Sequence, residues 1–241
     1  MKCFGLFYIM SIVCSYLCFS QTVESSSGID KGILQIELES LYVKEKAGDE
    51  TINSWSIPST LLRYGINDKI EFQMGLPLIN EKIYIQNELV SSQRIFDNAQ
   101  MGFSINLWNE NIFLPEAGFK YTTFLPLTNF ELEGFGHSIM LNLSNTITNK
   151  LSFNYNIGYF FDSFSHLAFY IANITYEINS KIHCFSEIFG EFGNVQSIRN
   201  CMNLGIGACL TKSLNLDLSF ANGLNHDMKY FGGTLSYFFT M

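Results

Sequence analysis

The side chains able to do chemistry in this chain of 241 residues are few and widely spaced. Eight of them sit on the polar faces of segments whose other face is apolar: Glu37, Glu39, Arg63, Glu71, Glu116, Lys120, Glu187 and Asp217. Arg63 and Glu71 flank the stretch Ile66-Asn-Asp-Lys-Ile70, which places them diagonally across a tight turn and within reach of each other. Charges held this way can line a path for a solute and set its ionic preference. They can equally pair with one another and fill the space between them. Both readings stay open on sequence alone. In either case carboxylates outnumber Arg63 and Lys120, which favours cations.

The remaining reactive residues do not assemble into a site. His137, His166, His183 and His226 have no partners at metal-ligand spacing. His183 is expected to hydrogen-bond Glu177. His137 and Ser138 are the types that nucleophilic catalysis uses, but neighbours on a strand point to opposite faces, so these two cannot pair. The chain carries no catalytic set, no metal site and no cofactor motif, and the reading is that it is not an enzyme. An outer-membrane lipid hydrolase is the weakest alternative. Of six cysteines, Cys3, Cys14 and Cys18 fall in the leader, and the odd number left excludes a disulfide framework.

The elements that must position these groups are strands. Hydrophobic residues make up 47% of the chain and charged ones only 15%, against a quarter to a third on a soluble surface. The net charge of −8 excludes nucleic acid as a partner. Residues 1–20 read as a secretory signal, with Lys2, an apolar core and small residues before a cleavage point at Gln21. Beyond it, strict alternation dominates. In 151–161, Leu151, Phe153, Tyr155, Ile157 and Tyr159 oppose Ser152, Asn154, Asn156 and Gly158. Twelve such segments are expected, over 32–44, 53–66, 70–79, 98–108, 113–126, 134–147, 151–161, 166–178, 182–191, 198–210, 214–222 and 230–239.

The connections fall into two sets. Ile66–Ile70, Ile147–Leu151, Ile178–Ile182 and Leu210–Leu214 each hold three polar residues between aliphatic ones, and Trp108–Asn111 is the matching turn after the fourth strand. These alternate with longer links at 45–52, 80–97, 127–133, 162–165, 192–197 and 223–229. Short turns on one side and longer loops on the other, joining an even number of strands, are the mark of an antiparallel transmembrane β-barrel. The turns also set a register in which Asn142 meets Asn156, Ser144 meets Asn154, Glu187 meets Asn173 and Gly207 meets Asp217. Link 80–97 is expected to be a surface loop, or to gain local order and fold into the barrel mouth. A soluble sandwich would alternate too, but its outer face would be rich in Lys and Glu rather than Ser, Asn and Gly.

Residues 56–78, SIPSTLLRYGINDKIEFQMGLPL, resemble the opening hairpin of a bacterial outer-membrane barrel family, the transporters named for the MetA pathway of phenol degradation. Residues 185–193, 204–225 and 231–239 are similar to that family's closing strands. The resemblance implies a channel in the outer membrane of a Gram-negative bacterium that passes small molecules passively, apolar or aromatic ones among them. A structural or binding barrel with a plugged lumen is the alternative. The implied partners are outer-membrane lipids, an unidentified small solute and, during biogenesis, the barrel assembly machinery.

Overall fold

The structure is a computed structural model that describes residues 23–241, apart from 97, 128–134 and 194–197. The leader and its cleavage point, and most of the links 127–133 and 192–197, lie outside the described residues. No helix among them is long and apolar enough to cross a membrane. Among the described residues there are fourteen strands: β1 (Ile33–Ala47), β2 (Glu50–Asn67), β3 (Ile70–Leu76), β4 (Leu78–Ile85), β5 (Glu88–Phe96), β6 (Ala99–Trp108) and β7 (Glu116–Leu125). They continue as β8 (Gly136–Thr148), β9 (Leu151–Phe161), β10 (His166–Asn179), β11 (Ile182–Gly193), β12 (Arg199–Thr211), β13 (Leu214–Gly223) and β14 (Asp227–Thr240). Every pairing is antiparallel. The ring runs β1-β14-β13-β12-β11-β10-β9-β8-β7-β6-β3-β2 and closes through β2–β1. This is a closed barrel of twelve strands, extended on one side by the hairpin β4–β5. Closure gives every strand of the ring two neighbours, the condition for strands to cross a bilayer, and leaves the far edge of β5 unpaired.

The short turns are one residue tighter than the sequence suggests. Asn67, Thr148, Asn179 and Thr211 oppose Ile70, Leu151, Ile182 and Leu214, and the residue before each one forms a bulge. Chemistry explains the repeat. The Asn67 carboxamide oxygen accepts from the N–H groups of Lys69 and Ile70, and Asn179 does the same for Lys181 and Ile182. Thr148 and Thr211 use their hydroxyls on Lys150 and Ser213. Such side chains close a turn on their own backbone. The bulge absorbs the extra residue, so the inward pairs Ser144–Asn154, Asn142–Asn156, Asn173–Glu187 and Gly207–Asp217 fall where the sequence puts them.

Other boundaries differ. Strands β1 and β2 run on to a turn at Gly48-Asp49, so 45–52 is not a long link. The turn after β6 extends to Pro115, because Asn111 caps Phe113 and Leu114 as Asn67 caps its own turn. The largest change concerns 80–97. This segment is neither a surface loop nor folded into the mouth. Strands β4 and β5 prolong β3 and β6 as one tall hairpin, reversed at Gln86-Asn87 with φ values of 52° and 68°. Two successive positive φ values are what a two-residue hairpin turn needs to match strand twist. Alternation persists through the segment, and β4 adds to the outer half of β2.

The outer surface carries the apolar residues. Ile157 is 60% exposed, and Phe72, Ile139, Ile174, Leu204, Phe220 and Tyr237 face outward beside many others. An apolar belt of this extent cannot face water. Lipid-facing Arg near the bilayer midplane costs on the order of 2–4 kcal/mol. Ile157→Arg should therefore lose about that much stability in lipid vesicles, while Asn154→Arg, which faces the lumen opposite Ser144, should lose much less. Equilibrium unfolding from vesicles measures both; equal losses would mean the facing is wrong.

Candidate functional site: the lumen and the strap across it

The interior is divided into levels. Towards the short-turn end the inner face is polar and charged. Above it comes an apolar band, with Leu41, Val43, Ile171, Phe189, Cys201, Ala221, Met228 and Tyr230 forming one buried cluster, and beyond that Arg199 pairs with Glu45 and Glu191. The change happens within single strands. Strand β1 points Gln35, Glu37 and Glu39 inward, then Leu41 and Val43.

A segment that the sequence reading did not place occupies the polar level. Residues 23–32, ahead of β1, run inside the barrel as a strap and touch the wall on many sides. The Val23 N–H donates to Glu187 (3.0 Å), the Glu24 N–H to Asn156 (2.9 Å) and the Ile29 N–H to Glu71 (2.8 Å). Asn156 and Asn142 return bonds to the carbonyls of Glu24 and Ser25, and Asn106 to that of Ser26. The strap passes so close to β7 that a Cβ on Gly118 would lie 2.4 Å from the Ser26 carbonyl. Only a residue without a side chain fits there.

All eight ionisable residues singled out in the sequence point into the barrel, and the strap draws most of them together. Arg63 is the hub. Its guanidinium donates to Glu71 (2.9 Å), to Glu24 of the strap (3.2 Å) and to Glu37 (3.3 Å). Lys120 pairs with the same Glu24 carboxylate. Glu116 accepts from Ser26 and Asn106. Glu187, 0% exposed, accepts from Val23, Asn173 and Asn203. Asp217 stands apart, paired with His183 at 3.1 Å. Glu39 has no ion-pair or hydrogen-bond partner among the described residues and faces the cavity above the strap.

His183 does not bond to Glu177, which is its cross-strand neighbour, because the side chain reaches the other way. A Cβ on Gly207 of the intervening β12 would lie 2.0 Å from Asp217 Oδ1 and 2.1 Å from the His183 ring. That missing side chain opens the route from β11 to β13. His137 and Ser138 keep to opposite faces. The ring meets Tyr121 at 2.9 Å outside, and the Ser138 hydroxyl is buried inside. Cys201 Sγ and His226 Nε2 are 3.7 Å apart, and no group of three metal-ligating His, Cys, Asp or Glu side chains occurs among the described residues.

A cavity of about 430 Å³ lies above the strap and runs down beside it along β1, β13 and β14, where Gln35, Asn215 and Ser236 line it. Glu24, Glu37, Arg63 and Lys120 border it, and its walls mix Leu41, Val43, Phe124, Met140, Phe169 and Ile171 with Ser54, Ser56, Thr122 and Ser138. On one side it runs out into the barrel wall, where Thr60, Leu76 and Pro77 belong to its lining. The sheet is interrupted there. Pairing between β2 and β3 ends at Thr60–Leu76, and pairing between β2 and β4 begins at Ser56–Ile79. Ile57, Pro58 and Ser59 on one strand face Pro77 and Leu78 on the other without ladder pairing. Two of the chain's four prolines are here, each lacking the N–H a ladder needs.

The architecture has well-matched counterparts among solved structures. An outer-membrane channel from Pseudomonas putida F1 superposes with a TM-score of 0.65 at 9% identity, covering 91% of this chain and all of that one. The KdgM porin, solved in complex with disordered oligogalacturonate, gives 0.58 at 12% identity over 84% of this chain and 98% of that one. The translocator domain of the autotransporter NalP from Neisseria meningitidis gives 0.52 at 10% identity over 98% and 95%. The fold is that of an outer-membrane β-barrel. No protein-family model matches the chain, and no curated protein does.

The strap ties pH to the state of the lumen. Burial pushes the Glu24 carboxyl up, but the Lys120 and Arg63 cations beside it outweigh this and hold it at about 2, below the usual 4.5. A carboxyl with a lowered pKa in the docked state favours docking when ionised. That contribution is complete above pH 4.5 and is lost as the pH falls towards 2. Acid should therefore raise the current through the reconstituted protein across this window. Glu24→Gln should raise it already at neutral pH and flatten the acid response. Planar-bilayer recording reads both.

Proposed function

We propose that this protein is a channel in the outer membrane of a Gram-negative bacterium, admitting small apolar molecules passively and without an enzymatic step. The observation that carries the reading is the cavity above the strap. Leu41, Val43, Phe124, Met140, Phe169 and Ile171 give it an apolar part among Ser, Thr and Gln side chains, Glu24, Arg63 and Lys120 border it, and it extends sideways to Leu76 and Pro77 at the break. A water-filled pore would need an unobstructed polar route along the axis. Here the strap narrows the axis, while Leu76, Pro77 and Ile79 along the side route suit an apolar solute. Leu76 follows the Asp68-Lys69 turn by seven residues, which on a tilted strand puts the break roughly 18 Å above the periplasmic rim, within the apolar belt. The solute would leave the lumen for the lipid there. The resemblance of 56–78 to the phenol-degradation transporters falls on this same hairpin, and the solved outer-membrane channels support the fold the reading needs.

The strap also favours a second reading, a plugged barrel with a structural role. The two separate by experiment. In the variant Ile57→Cys/Leu78→Cys, a disulfide would stitch the break. Proteoliposomes should then lose uptake of a small apolar solute such as toluene, and a reductant should restore it. No uptake by the native protein at all would favour the plugged barrel.

The eight inward residues enter this proposal as the polar level of the path, with a residual current of ions slipping past the strap. Among them carboxylates outnumber cations, and Glu39 has no neutralising partner. Reversal potentials in a salt gradient should show a cation preference, reduced by Glu39→Gln more than by Glu37→Gln, since Glu37 is already paired with Arg63. Anion preference in the native protein would overturn the charge argument.

A further inference from the structure

The chain is acidic overall, yet one part of its outer surface is basic. Register partners place Lys229 of β14, Lys44 of β1, Asn53 of β2 and Lys82 of β4 in a single row across four adjacent strands. Lys44 and Lys229 are directly opposite each other. All three lysines are exposed and point away from the lumen. None has an ion-pair partner among the described residues. Strands lie about 4.8 Å apart, so the three ammonium groups fall along roughly 14 Å. Like charges placed directly opposite on a sheet repel, and nothing within the row offsets this. The nearest outward acid is Asp227, which stands opposite Lys46 one step further out.

The row below fixes its depth. Phe220, Phe231, Tyr42 and Trp55 are register neighbours in sequence around the barrel, all outward and all about half exposed. The Tyr42 and Trp55 rings meet edge to face with centroids 6.2 Å apart. Arg94 of β5 continues the same row beyond Asn80. Aromatic residues in such a band mark the level where hydrocarbon gives way to headgroups. The lysines therefore sit one step above the hydrocarbon, at the level of the headgroup phosphates. This is the end of the barrel away from the short turns, and hence the outer leaflet.

We infer that the row Lys229–Lys44–Asn53–Lys82 is a binding site for the phosphorylated headgroup of an outer-leaflet lipid. A phosphate seated between Lys44 and Lys229 would relieve their repulsion. Asn53 supplies a neutral hydrogen-bond donor, and Lys82 and Arg94 offer a place for a second phosphate. The aromatic row beneath takes the acyl chains of the same molecule. A lysine is well suited to this use as a compact charge on a flexible stem. The site lies on the same quarter of the barrel as the β2–β4 junction, so a bound lipid would stand over the Pro58–Pro77 break. The inference rests on the outward face of the fold, and only its placement over the break depends on the channel reading.

Trp55 lies beside the row and reports on it. In a Trp108→Phe background it is the one remaining tryptophan of the chain's two. The full chain in neutral detergent would be titrated with diphosphoryl lipid A, monophosphoryl lipid A and an uncharged glycolipid. Affinity should fall in that order and weaken with added salt. The triple variant Lys44→Gln/Lys82→Gln/Lys229→Gln should bind diphosphoryl lipid A at least ten-fold more weakly, with toluene uptake retained. Equal affinity for the charged and uncharged lipids would overturn the site even if the triple variant fails to fold. So would equal affinity of the native and variant chains, or displacement of the lipid by millimolar inorganic phosphate. Uptake lost in the native chain while lipid binding persists would count against the channel reading alone.

Discussion

A carboxylate withdrawn from water must be met by donors or cations, or it will not remain ionised. The lower half of this barrel is organised by that demand. Glu71 and Glu187 are both 0% exposed, on strands far apart around the ring. The wall alone does not satisfy them. Asparagines at neighbouring positions of β10 and β12 supply two donors to Glu187, and Arg63 and Gln73 serve Glu71. The backbone of the strap completes both sets, through Val23 at one end and Ile29 at the other. Between these anchors Glu24 adds a negative charge of its own and places it between Arg63 and Lys120. The strap is thus held by groups that would be poorly accommodated without it, which is why ten residues with no regular structure can span the lumen.

This arrangement also accounts for the division of the interior. Just above the strap the inward positions of β1, β10, β11, β12 and β14 turn to Leu41, Ile171, Phe189, Cys201 and Tyr230, and beyond them Glu45, Glu191 and Arg199 form a second ion-paired group at the outer end. The border runs along one register row, where Asn156 stands next to Ile171 and Ile171 next to Phe189.

Much of this was legible in the residues. The period of two separated the lipid face from the lumen face on nearly every strand, and the turn motifs set the pairs Asn142–Asn156, Asn173–Glu187 and Gly207–Asp217. All eight inward charges followed from the same alternation. What failed to show was whatever depends on contacts distant in sequence. The strap has no period, and its Ser, Gly and Glu content reads as a linker; its partners are up to 164 residues away. His183 reaches Asp217 only because an intervening strand carries glycine, a three-strand relation that no hairpin-by-hairpin argument contains. The tall hairpin was missed for a different reason. Its polar outer face and Pro77 at its base imitate a loop, although Leu78, Tyr84 and Leu89 hold a ladder.

The position of the strap bears on how the molecule comes to be. It is the first described part of the chain, and its partners on β9 and β11 lie far downstream of it. It is joined directly to β1, which must find β14 to close the ring. Contacts of such long sequence separation form late. Until β14 arrives, β1 and its leading segment have a free edge and can swing as a flap. Once β1 and β14 join, a segment left outside would have to be threaded through the finished wall or in from the rim. The strap is most simply captured as the ring shuts around it. Its seating would then be a record of the order in which the strands were added.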